Sequence, residues 1–195
     1  MIIVILLFLF LFPYYMLSDF FYRMTPTDLK MYGANSKLDF MWKYYSSVSN
    51  FTVSELTKIK KLDKIADQLL GRKVDVIYKK NTLLDPHTLL NYVFLPSVPD
   101  LETVLHEKIH VIQRYDPSFM KQFGFVKTNL KEEKRNNPDN DNYIYSYNGQ
   151  PFYFKYSGNN YREGYTIGGN KFLQDSPNET IAYWLTNHLL EGLKQ

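Results

Sequence analysis

Apolar residues run without a charge from Met1 to Leu17 and resume at Phe20, Phe21 and Tyr22 after Ser18 and Asp19. Beyond them the pattern becomes periodic. Leu56, Ile59, Leu62, Ile65, Ala66 and Leu69 recur at helical spacing behind Ser54, with Gly71 at the exit, so a helix capped by Ser54 is expected. Val74-Asp75-Val76-Ile77-Tyr78 alternates as a half-buried strand does, and Tyr92-Val93-Phe94-Leu95 reads as a short apolar strand. Asp100 then stands as an N-cap before Leu101, Val104, Leu105, Ile109 and Ile112. Glu102 in the first turn and Arg114 in the last suit the helix dipole, and Pro117 ends the run, which predicts a helix from Asp100 to Tyr115.

Further on, Phe119 to Phe123 reads as a short helix and Lys127 to Asn142 as a polar loop. Tyr143–Tyr147 and Phe152–Tyr156 flank Asn148-Gly149-Gln150, the pattern of a hairpin. Ser176-Pro177-Asn178-Glu179 opens a last helix, running from Pro177 to about Leu193. The order of elements gives an α+β fold: a small twisted sheet backed by the central helix, with the C-terminal helix closing a cleft. Three parts are expected: an apolar anchor at 1–22, a flexible juxtamembrane approach at 23–50, and one domain at 51–195 without internal repeats.

The central helix carries the chemistry. His106-Glu107-Lys108-Ile109-His110 spells H-E-x-x-H, and in a helix its two histidines lie four residues apart on one face, within reach of one metal ion. Glu107 is then placed beside a metal-activated water as general base. A polar triad among apolar neighbours faces the interior, where buried polar groups need partners, and a metal is the simplest. Catalytic zinc takes three protein ligands and keeps one position open, so a third ligand must come from elsewhere.

Val104 to Gln113, with His110-Val111-Ile112-Gln113 after the glutamate, resembles the active-site helix of the zincin metallopeptidases. The resemblance implies Zn2+ held by His106 and His110, Glu107 as general base, and hydrolysis of a peptide or related amide bond. For the third ligand, Asn178-Glu179-Thr180-Ile181-Ala182 resembles the second-helix setting of the gluzincin branch, which points to Glu179. Two alternatives stay open. Asp116 occupies the third-ligand place of the metzincin pattern, but Gln113 stands where that pattern needs a glycine. Glu163 is the other, and Glu179 itself also completes a capping box with Ser176. His188 falls on the opposite side of the last helix from Glu179.

Tyr161, Arg162 and Tyr165 are candidate donors for the oxyanion of the transition state. The apolar beginning is close to the length of a bilayer span, lacks a basic n-region and a small-x-small cleavage site, and places Tyr14, Tyr15 and Tyr22 as interface residues. A single-pass N-terminal membrane anchor is therefore expected, with a cleaved signal and secretion as the alternative. Net charge +3 selects no acidic partner; Lys58, Lys60, Lys61 and Lys64 read as a solvated helix face, and no motif speaks for nucleic acid. With no cysteine there are no disulfides and no thiolate ligand. Asn50 and Asn178 begin formal glycosylation sequons, the second too close to the candidate ligand to carry a glycan. The partner expected is a peptide or protein substrate, aligned by strand addition to an exposed edge. Two rival classes remain: a non-peptidase metal enzyme, since two histidines and a carboxylate also hold non-haem iron, and a membrane-tethered interaction protein with a structural or inactive site.

Overall fold

The computed structural model describes residues 24, 26–116, 118–131, 139, 143–157, 161–166, 171–172 and 176–194. Helices α1 (Pro26–Met31) and α2 (Lys37–Ser47) lead through β1 (Val48–Ser49) into α3 (Val53–Leu70). Strands β2 (Ile77–Asn81), β3 (His87–Leu89) and β4 (Tyr92–Leu95) precede α4 (Leu101–Tyr115) and a 3-10 turn at Met120–Phe123. Five strands follow, β5 (Phe125–Lys131), β6 (Tyr143–Tyr147), β7 (Gln150–Ser157), β8 (Tyr161–Thr166) and β9 (Lys171–Phe172), before α5 (Pro177–Glu191). The architecture is mixed α+β.

One sheet has the order β1-β2-β4-β3, with β2 and β4 parallel and the other pairs antiparallel. The other is an antiparallel meander from β5 to β9. The main core lies where α4 meets α3, β4 and α5: Ile59, Ala66, Val93, Leu95, Val104, Leu105, Ile109 and Ala182 are fully buried there. Asp100 caps α4 as expected, its carboxylate accepting from the Thr103 N–H at 2.8 Å. Val93 and Leu95 of β4 sit under α4 because a short strand buried on both faces needs apolar residues throughout.

Several expectations are corrected. The cap of α3 is Thr52, not Ser54: Thr52 N–H donates to Glu55 at 2.8 Å and Glu55 N–H to the Thr52 hydroxyl at 3.3 Å, a reciprocal capping box. The first long strand starts at Ile77 rather than Val74, because the Val74 N–H is taken by the Asp67 side chain at 2.9 Å and the chain pairs with β4 only from Ile77. The polar stretch from Lys127 is strand as far as Lys131, paired with β6; 132–138 and 140–142 lie outside the described residues. The short helix forms as a 3-10 turn from Met120, and the hairpin forms with Asn148 (φ 47) and Gly149 (φ 80) as its turn, while Gln150, expected in the turn, already belongs to β7 and pairs with Tyr147.

The largest correction concerns residues 23–50, read as a flexible approach. They carry α1 and α2, and Met24, Phe40 and Tyr44 form a second core cluster with Leu84, Leu89 and Phe94. These residues belong to the packed unit because Phe40 and Tyr44, one helical turn apart, give α2 a buried face that only distant parts of the chain can cover. The anchor expected at 1–22 lies outside the described residues. Among the described residues, no helix is long and apolar enough to cross a membrane.

Candidate metal centre

His106 and His110 project from α4 toward the first turn of α5. Their Nε2 atoms are 3.0 Å apart, and the Glu179 carboxylate lies 3.3 Å from the first and 3.5 Å from the second. Ser176 starts α5 and accepts from the Glu179 N–H at 3.1 Å, so the backbone of Glu179 serves the cap while its carboxylate reaches the histidines. A tetrahedral zinc with bonds of about 2.0–2.1 Å holds its ligand atoms about 3.3–3.4 Å apart. The two Glu179 contacts come from different oxygens, Oε2 to His106 and Oε1 to His110. One donor atom from each of the three residues lies within 4.8 Å of the others, and their chemistry, two imidazoles and a carboxylate, suits a divalent metal.

The imidazole of His110 is held by α4 and α5 together. Gln113 donates its amide N–H to the Asn178 carbonyl at 2.8 Å, which turns its oxygen toward His110 Nδ1, also at 2.8 Å. A carbonyl oxygen only accepts, so Nδ1 carries a hydrogen, and Nε2 is the nitrogen turned toward His106 and Glu179. Gln113, at the place where the metzincin pattern needs glycine, is thus a positioning residue. Its legible signal is its position three residues after His110, on the same helix face.

Electrostatics are dominated by burial among acids. Burial alone would lower His110, but Glu179, Asp139 and Glu107 outweigh it and raise the imidazole to about 10. Burial would raise Glu179, yet His110 and His106 hold it far below the usual carboxylate range. Glu107 is pushed well up, first by burial, then by Asp139 and Glu179. It is 3% exposed, and its Oε2 has no hydrogen-bond partner among the described residues. An orphaned carboxylate oxygen of this kind needs a water or a ligand group beside it.

These shifts fix the pH dependence. A metal bound here would have to displace the proton from His110, so its affinity should rise with pH about tenfold per unit from neutrality until about 10. Titration calorimetry in buffers of different ionisation heat should find about one proton released per ion near pH 8; no release there would contradict the raised imidazole. Without metal the sign reverses for stability. The raised value contributes stability that is full below about 6.5 and is lost as pH rises through about 10.

The other candidates fall elsewhere. Asp116 ends α4, accepts from the Ser118 hydroxyl at 2.6 Å and pairs with Arg72 at 3.1 Å, outside the cluster. Tyr161, Arg162, Glu163 and Tyr165 lie on β8, opposite Ser157, Tyr156, Lys155 and Tyr153 of β7; their side chains are outside what is described. Tyr183, which helical spacing puts beside Glu179, sits one turn after it with its ring 4.5 Å from that of His106. His188 is exposed and stacked on Trp184 at 5.4 Å, away from the cluster. The edge strand β3 is partly closed to strand addition. Its Thr88 N–H is taken by Asp139, and its carbonyl by Arg114 at 3.4 Å.

No protein-family model matches this chain, no curated protein sequence matches it, and no solved structure matches it.

Proposed function

We propose that the chain is a zinc-dependent metallopeptidase with a minimal zincin-like domain, tethered to a membrane by its N-terminal apolar segment. The observation that carries this reading is the cluster itself: His106, His110 and Glu179 grouped so that one ion could be held by all three, with Glu107, whose Oε2 has no hydrogen-bond partner among the described residues, next in sequence to His106. A Zn2+ ion bound by these residues would supply Lewis acidity, lowering the pKa of a water and polarising the scissile carbonyl. Glu107 takes the proton of the attacking water and returns it to the leaving amine. Its burial raises its proton affinity, which suits a base that must also act as an acid. Gln113 keeps His110 in one tautomer through the cycle. Tyr183 is raised by burial and by Glu179, so it stays a phenol, and its place beside His106 supports a role as donor to a substrate oxygen. With β3 occupied at Thr88, an extended substrate has to find its backbone partners at another edge.

The test is metal stoichiometry on the full chain in detergent, wild type against Glu179→Ala. One zinc per wild-type chain is expected, with affinity at least about 100-fold weaker in the variant. Equal zinc binding by both would remove Glu179 from the ligand set. Preference for iron over zinc at physiological metal levels would favour the oxygenase alternative.

A further inference from the structure

We propose that the outer face of α2 rests on the lipid surface, so that the domain sits on the membrane in one orientation instead of hanging free from its N-terminal segment. This rests on the reading of that segment as a membrane anchor. The inner face of α2 is settled: Phe40 and Tyr44 are buried, at 0% and 1% exposure. The opposite face presents Leu38 at 74% exposure and Trp42 at 70%, also one helical turn apart. Met31, closing α1, is 62% exposed. Three large apolar side chains are thus open to solvent between positions 31 and 42, on the first elements of the described chain.

The length of the connection argues for lipid as the occupant. The apolar run of the sequence ends at Tyr22, and Met24 is already buried in the cluster that holds Phe40 and Tyr44. With one residue between them, the ends are within about 7 Å. A domain joined to a bilayer segment by so short a connection cannot stand away from the surface, and α1 and α2 are the elements beside the junction. The side-chain types agree. Tryptophan favours the interfacial layer, and the exposed Lys37 and the partly exposed Lys43 flank Leu38 and Trp42 as basic residues flank a helix lying in the interface.

The chain has two tryptophans, which makes the test direct. The full chain is reconstituted into phosphatidylcholine vesicles with and without bromine on the acyl chains. Trp184→Phe leaves Trp42 as the reporter; Trp42→Phe leaves Trp184 of α5, whose ring lies 5.6 Å from that of Phe123. Expected is at least about two-fold quenching of Trp42 by brominated lipid and little of Trp184. The unmodified chain, which needs no substitution, should lose at least about a quarter of its tryptophan emission. A chain that floats with the vesicles while Trp42 stays unquenched overturns the proposal and leaves the anchor intact. Blue-shifted, unquenched Trp42 emission would overturn it too, showing protein on that face. Equal quenching of both tryptophans would overturn an oriented contact, and a chain that does not float would defeat the anchor and the contact together.

Discussion

Glu107→Gln is expected to keep the metal and lose turnover by about 10²–10⁴-fold in kcat, with little change in KM. The argument starts from position. Glu107 is next to His106 on α4, is 3% exposed, and has an oxygen without a partner among the described residues. It is not one of the three clustered donors, so its loss should leave the ion in place. Glutamine matches glutamate in shape and cannot accept the proton of the attacking water. Folding should hardly notice. Burial already favours the neutral carboxyl, so in the metal-free protein a neutral amide should change stability by less than about 1 kcal/mol. The raised Glu107 contributes stability present at low pH and lost as pH climbs through its folded value, and the variant should lose that slope. Zinc analysis, a peptide-library turnover assay and thermal melts across pH read the three parts. Wild-type turnover in the variant would end the general-base role; loss of zinc would move Glu107 into the ligand shell.

What could be read from the chain was whatever has a local period. The central helix announced itself through Asp100, the apolar series to Ile112 and Pro117, and it forms over Leu101–Tyr115. Glu179 was singled out by the residues around it, and the fold brings it to His106 and His110. The N-terminal helices were not legible for a physical reason. In α2, Leu38 and Trp42 are exposed opposite the buried Phe40 and Tyr44, so apolar residues appear on both faces and the amphipathic signal cancels. Their inner partners, Leu84, Leu89 and Phe94, lie some way along the chain and have no local signature. In the sequence Gln113 is only a departure from a motif, because its contact with Asn178 is supplied by long-range packing alone. Thr88 was hidden likewise: the groups that close its strand edge come from Asp139 and Arg114.

Lys108→Met should be the most destabilising single change within the motif, costing about 3–5 kcal/mol. Lys108 is fully buried, and its ammonium lies 2.6 Å from Asp63 Oδ1, 2.6 Å from Asp67 Oδ1 and 3.3 Å from the Asp63 carbonyl. Three donors meet three oxygens, and the acids are themselves fixed, Asp63 by the Tyr78 hydroxyl at 2.7 Å and Asp67 by the Val74 N–H at 2.9 Å. The network pins α4 to α3 between Glu107 and His110, the proposed general base and one of the proposed ligands. Methionine fills the space but leaves two carboxylates, one helical turn apart, without their cation, and that uncompensated charge sets the cost. Against a typical total of about 5–15 kcal/mol, the metal-free variant would be marginal, and bound zinc should restore part of the loss by mass action. Adding Asp63→Asn and Asp67→Asn removes the orphaned charge of these two partly exposed carboxylates and should recover more than half of the deficit, since neutralising an ion network costs less than breaking it. Denaturant melts of the single and triple variants, with and without zinc, decide the matter. If Lys108→Met costs less than about 1 kcal/mol, the helices are held by Ile59, Ala66 and Ile109 alone. If the triple variant is no better than the single one, the cost lies in packing around the lysine stem and not in its charge.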